Sequence, residues 1–235
     1  MKRQQAPRFW PITRKEHAWA VKSHPGPHAL KSSLPLLLVV RDVFGFAKNG
    51  AEATTLIKQG KVLVDGVTQK DERLPLGVMD TVELPEAKQI FRVLPDYGGR
   101  LRLKPMKGNE RGFKLCRIVG KTTVRDGNVQ LNLHDGRNLV VPEGDAPYRV
   151  NDVLQMKIPR QEVIGHIKFE EGIQAMVTGG RSQGQVGVVA AIGNEPGNKR
   201  TVTIRTPDGD DVRTLARYVF AVGSGEPLIS LKESS

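Results

Sequence analysis

The stretch Asn49-Gly50-Ala51-Glu52-Ala53 continuing to Val64-Asp65-Gly66, NGAEATTLIKQGKVLVDG, decides how the first half of the chain is read. Asn49 followed three residues later by Glu52 has the spacing of a helix N-cap with a reciprocal acid, so a helix starts there. Ala53, Leu56 and Ile57 fall on one helical face, and Gly60 stands where a left-handed residue ends a helix. Lys61-Val62-Leu63-Val64 then has strand composition, and Asp65-Gly66 is a two-residue hairpin turn.

Working outward, Leu36, Val39, Val40 and Val43 recur at i, i+3, i+4, i+7, which predicts a second helix upstream, broken at Lys48-Asn49-Gly50. Downstream, strands are expected near Thr81–Leu84 and Ile90–Leu94. Arg100-Leu101-Arg102-Leu103-Lys104 alternates cations with leucines, as on a half-buried strand. Two short helices on a small curled sheet make one module, 36–105.

From Lys114 to Phe169 the chain is strand-rich. Val129–His134 alternates, Asp135-Gly136 turns, Arg137–Val141 returns, and Val153–Ile158 and Val163–Phe169 add strands. A small antiparallel barrel or sandwich is expected over 106–171. The last module, 172–235, has a strand around Ala175 and Val177, a loop from Gly179 to Gln185 rich in glycine, and a strand from Val186. Further strands are expected at Thr201–Arg205, Asp211–Arg213 and Val219–Val222. The loop lacks a Gly-Lys-Ser/Thr ending and leads into a strand, so it is no nucleotide-binding P-loop. Twenty-five glycines and fifteen prolines fit many short strands joined by turns, so the fold class is α+β and mostly β.

Charge is one-sided. Residues 1–41 carry eight Lys or Arg against Glu16 alone, and supply +7 of the net +11. Clustered cations gain most from a polyanion, because they displace counterions condensed along a phosphate backbone. Residues 1–35 contain Pro7, Pro11, Pro25 and Pro27 and show no sustained periodicity, so they are expected to form an extended basic arm. Trp10 and Trp19 lie among its cations, placed either to stack on bases or to pack the arm against its neighbour.

Catalytic and metal chemistry find little support. Cys116 is the single cysteine, which leaves no internal disulfide, suits a reducing cytoplasm, and reads as a packed core thiol. His134 and Asp135 are adjacent, and neighbours along a strand point to opposite faces, so they should not pair. Pro25 and Pro27 separate His24 from His28 and exclude a helical metal pair. No metal, cofactor or small-molecule substrate is expected. The longest apolar run, Leu36–Val40, is far short of a membrane span, and the basic start lacks the apolar region of a signal peptide.

The stretch from Leu36 to Leu84, with Ala53-x-x-Leu56-Ile57-x-x-Gly60-x-Val62-x-Val64-Asp65-Gly66, resembles the RNA-binding fold named after bacterial ribosomal protein S-four. Gly172–Val189 is similar to a KOW motif. Lys114-Leu115-Cys116-Arg117, Gln130–Asn138, Gly26-Pro27-His28 and Phe169-Glu170-x-Gly172 resemble the archaeal and eukaryotic small-subunit ribosomal protein S-four-e family. Lys48-Asn49 stands where the wider fold often has Ser-Arg, and Gln185 where the family often has Arg.

The resemblance implies a structural protein of the small ribosomal subunit, cytoplasmic, with ribosomal RNA and neighbouring ribosomal proteins as partners, no membrane, and an SH3-like KOW barrel at the C-terminal end. Candidate RNA contacts are Lys2, Arg3, Arg8, Trp10, Arg14, Lys15, Lys22 and Lys31 in the arm. Arg41, Lys48, Lys58, Lys61, Arg100 and Arg102 come next in the helical module, then Arg137, and Arg181 and Gln185 in the glycine loop. Lys48 is expected to work beside the free N–H groups of a helix start. Two other classes share parts of the pattern. A pseudouridine synthase carries an S-four-like appendage but needs a catalytic domain, and KOW barrels also occur in transcription elongation factors.

Overall fold

The buried run Leu34–Val40 anchors the first half of the computed structural model, which describes residues 1–13, 15–106, 108–142, 147–195 and 199–231. The run begins as strand β1 (Leu34–Pro35), passes through one turn of helix α1 (Leu36–Leu38) and widens into a π-helical turn, Val39–Val43. Its periodicity predicts a one-sided stripe. Instead every side chain from Leu34 to Val40 is buried, while Val43 is turned out to solvent. The extra residue in a π turn rotates the chain beyond it, so the i+7 position leaves the apolar face.

Helix α2 (Gly50–Lys58) starts where the capping residues place it. Asn49 Oδ1 accepts the Glu52 N–H at 2.9 Å, and the Glu52 carboxylate accepts the Lys48 N–H at 2.8 Å. Ala53 and Ile57 are buried, and Gly60 takes φ +77 to end the helix. Strands β2 (Leu63–Val64) and β3 (Val67–Thr68) flank Asp65 and Gly66, both at positive φ, as a primed two-residue turn requires. Buried Asp65 also accepts the Thr81 N–H at 3.0 Å, tying the turn to the next strand of the sheet. After β4 (Pro75–Leu76), which pairs with β1, come β5 (Thr81–Leu84), β6 (Gln89–Pro95) and β7 (Leu101–Pro105). The sheet order is β3-β2-β5-β6-β7. Leu101 and Leu103 are buried and Arg102 is exposed, the alternation expected of a half-buried strand.

The arm is the main correction. Residues 1–35 are not extended away from a domain. Arg3 N–H donates to Ala18 O at 2.9 Å and Ala20 N–H to Met1 O at 3.0 Å, closing a loop. Ala6 and Trp10 then join the same apolar cluster as Leu34–Val40. Prolines stop helices and ladders, but they do not stop a chain from burying a tryptophan.

Residues 1–94 with 100–106 form one compact unit, and residues 95–99 with those from 108 onward form a second. In the second, β8 (Phe113–Thr123), β9 (Val129–Leu133), β10 (Asn138–Val141), β11 (Val153–Lys157) and β12 (Glu162–Ile167) make an antiparallel sheet ordered β10-β9-β8-β11-β12. Cys116, Ile118, Leu131, Leu133, Leu154 and Met156 fill its core, so the thiol is a packing group as expected. The sheet of β13 (Gln174–Val177), β14 (Val186–Glu195), β15 (Lys199–Arg205), β16 (Asp211–Leu215) and β17 (Val219–Gly223) is ordered β16-β15-β14-β13-β17, again antiparallel. No helix of the described residues is long and apolar enough to cross a membrane.

Candidate nucleic-acid interface

The loop between the π-helical turn and α2 opens a groove of about 480 Å³ facing the N-terminal segment. Arg3, Arg41 and Lys48 line it together with Asn49, Gly50, Glu16 and Asp42. Three candidate cations, at positions 3, 41 and 48, thus line one groove. Arg41 is held by its neighbour: Nη2 and Nε donate to the Asp42 carboxylate at 2.8 and 3.0 Å. That bidentate pair fixes the plane of the guanidinium and offsets part of its charge. Arg3 is only 4% exposed, and its Nη2 donates to Thr13 at 3.4 Å. Its buried Nε has no hydrogen-bond partner.

The expected helix-end phosphate site is shared with the helix's own side chains. Asn49 Oδ1 takes the N–H of Glu52, the third residue of α2, and the Glu52 carboxylate takes that of Lys48, just ahead of the cap. A carboxylate already occupies the positive end of the dipole. What Lys48 offers an anion is its exposed ammonium, not its backbone.

An adjoining hollow of about 810 Å³ shares Arg41 and Gly50 and adds Lys22, Arg73 and Trp19. The two tryptophans therefore separate. Trp10, expected as an RNA contact, is 3% exposed and its Nε1 donates to Ser33 O at 2.9 Å, so it packs the core and has no face open to a base. Trp19 is 67% exposed.

Lys2, Arg8, Lys15, Lys22, Lys31, Lys48, Lys58, Arg100 and Arg181 are exposed and, among the described residues, make no ion pair. Arg102 is exposed on β7. Arg14 lies outside the described residues. Lys61 is committed to Glu86 at 3.1 Å, an exposed pair that a phosphate can displace at small cost. In the glycine loop, Gly180 and Gly184 sit at φ +82 and +88, and Arg181 points to solvent. Gln185 does not: it is half-buried and its Oε1 is enclosed, which removes it from the loop tip expected of it.

Arg137 leads to a cluster of catalytic appearance. His134 and Asp135 lie just past β9 in its turn, so strand alternation does not separate them. With Cys116 they bring their donor atoms within 4.8 Å of one another. The Lys114 ammonium lies 3.1 Å from the Asp135 carboxylate and Arg137 Nε 3.4 Å from it. Burial raises the Asp135 pKa, but Lys114, His134 and Arg137 outweigh it and hold the carboxyl below its usual range. Lys114 and Asp135 side chains are 1% exposed, so a lysine already fills the cation position and no substrate reaches it. His24 and His28 turn to different acids, Asp71 at 3.1 Å and Asp80 at 3.0 Å. One basic surface escaped the sequence reading altogether. Arg117, Arg200 and Arg217 line a groove of about 410 Å³ in the second unit, and nothing in their spacing announces it.

Antiparallel β units whose exposed lysines and arginines go unpaired among the described residues present the basic surface of a polyanion-binding class, and the buried acid is closed off by lysine. Comparison with known proteins specifies which. Residues 87–163 match the family description Ribosomal family S4e, residues 1–31 the RS4NT (NUC023) domain, and residues 43–82 the S4 domain. The chain is 47% identical over 237 residues to the small ribosomal subunit protein eS4 of Aeropyrum pernix, covering 98% of this chain and 94% of that one. Against the eS4 protein of Methanothermobacter thermautotrophicus the identity is 45% over 232 residues, covering 98% and 95%. The crystal structure of the 30S ribosomal protein S4e from Thermoplasma acidophilum matches with a TM-score of 0.70 at 27% identity, covering 82% of this chain and 96% of that one. The chain belongs to the S4e family of ribosomal proteins. Membership across 98% of the sequence leaves the pseudouridine-synthase and elongation-factor readings without support.

Proposed function

We propose that this chain is a structural constituent of the small ribosomal subunit, cytoplasmic, that holds folded ribosomal RNA and abuts neighbouring ribosomal proteins. The groove that gathers Arg3, Arg41 and Lys48 carries the reading, since a phosphate entering it meets cations from both the N-terminal segment and the helical module. Lys2, Arg8, Lys15, Lys22 and Lys31 extend the positive surface. Arg181 presents a further cation from a loop whose strand–glycine–strand pattern supports a KOW assignment for 172–235. The modules 36–105 and 106–171 carry Lys58, Lys61, Arg100 and Arg102, and Arg137. With only 5% aromatic residues, recognition works through shape and backbone more than through base stacking.

Deleting the N-terminal segment would remove Trp10 from the core, so the test uses charge substitutions. Neutralising Lys15, Lys22 and Lys31 to Gln should flatten the slope of log K against log salt by about 2–2.7, at ~0.7–0.9 per phosphate contact. Arg41→Gln with Lys48→Gln should flatten it by about 1.4–1.8. Small-subunit RNA titrated over a range of salt concentrations gives the readout. Slopes equal to that of the unaltered chain would refute contact by these residues.

A further inference from the structure

Arg117, Arg200 and Arg217 stand 83 and 17 residues apart in sequence, yet the second unit brings all three to one groove. Arg117 comes from β8, Arg200 from β15, and Arg217 from the single turn Ala216–Tyr218 that succeeds β16. We propose that this groove is a second phosphate-binding site, built to take the phosphodiester backbone of the folded RNA. The proposal deepens the function given above and rests on it.

Each guanidinium is positioned before any ligand arrives. Arg117 Nη1 donates to Arg217 O at 2.6 Å and to Val219 O at 2.9 Å, and the group lies 5.9 Å from the centre of the Phe220 ring. Arg217 sits 4.8 Å from the Tyr218 ring centre, with Nη2 donating to the Tyr218 hydroxyl at 3.0 Å. Arg200 stacks 5.6 Å from the Phe169 ring centre. Stacking on a ring holds the planar fork in place, so less side-chain freedom is lost when an anion binds.

The charge is also uncompensated. Among the described residues no Asp or Glu lines the groove, and none of the three arginines makes an ion pair. Arg117 is the telling member. Its Nε is buried without a hydrogen-bond partner, and burial lowers its pKa to about 10. A cation taken out of water and given only two backbone carbonyls is held at a cost that an incoming anion relieves. Val119 and Val150, both exposed, wall the groove with apolar surface suited to a ribose beside the phosphate. Arg200 and Arg217 are themselves exposed, so the site opens to a polymer passing across it.

The test uses the full chain carrying Arg200→Gln and Arg217→Gln, which leaves the structural bonds of Arg117 in place. Binding of small-subunit RNA should keep its form while the salt slope flattens by about 1.4–1.8, with the thermal transition unmoved. Phenylglyoxal modification, read by mass spectrometry at the three arginines, should be suppressed by RNA. A slope equal to that of the unaltered chain overturns the proposal, and so does protection by inorganic phosphate alone as strong as that by RNA, which would assign the groove to a free anion. Should the unaltered chain itself ignore the RNA, the function fails first, a result that separates the two.

Discussion

Trp10→Ala tests whether the N-terminal segment belongs to the folded core. The indole is 3% exposed, packs with the cluster containing Leu34 and Leu36–Val40, and spends its single donor on Ser33 O at 2.9 Å. Truncating a buried tryptophan to alanine costs about 3–5 kcal/mol in lost transfer energy and cavity formation. A small unit is stable by only about 5–15 kcal/mol, so the first unit is brought close to unfolding. Trp10→Phe is the companion, because it keeps most of the ring and removes the donor. The Ser33 carbonyl is then left buried without it, at about 1–3 kcal/mol. Native-state hydrogen exchange resolved by peptide is the appropriate assay, since it reports opening of residues 34–40 separately from β8–β17. Protection should fall in the first unit and stay unchanged in the second. A variant within about 0.5 kcal/mol of the parent that had lost RNA affinity would refute the packing role and restore base stacking.

Other contacts set further outcomes. Asn49→Ala should cost the first unit about 1 kcal/mol by removing the acceptor for the Glu52 N–H, visible as a lower urea midpoint. Lys114→Met should destabilise the second unit by about 3–5 kcal/mol, because it strands the buried Asp135 carboxylate; adding Asp135→Asn should recover much of the loss in a double-mutant cycle. The same carboxyl sets an acid limit. Its folded pKa lies below the ordinary value of 3.8, so its stabilisation is present above that value and is lost as pH falls through the folded pKa, a fall that Asp135→Asn should abolish in acid titrations of stability. Gly184→Ala should cost the second unit at least about 2 kcal/mol: φ is +88, and a Cβ there would stand 2.5 Å from the Asp96 carbonyl carbon, backbone that cannot swing aside.

Local chemistry was legible wherever a feature depends on residues close in sequence. The Asn49–Glu52 cap, the left-handed Gly60, the Asp65-Gly66 turn and the alternation of Leu101 and Leu103 about Arg102 are each settled within a few bonds of backbone. Trp10 could not be settled this way, since stacking and packing need the same residue and differ only in what lies opposite. His134 and Asp135 were misplaced because alternation was extended two residues past the end of β9 into its turn. Gln185 was placed at a loop tip by its position in the motif, whereas the packing around the loop turned its amide inward.

Taken alone, the sequence was enough for the order of the elements, the excess of positive charge near the start and the family resemblance, because caps, turns, periodicities and motifs are short-range information. Tertiary structure alone decided which cations converge: Arg3 with Arg41 and Lys48, and Arg117 with Arg200 and Arg217. The reason is physical. Burial and the pairing of charges are properties of what surrounds a side chain, and those surroundings are assembled only when distant segments pack.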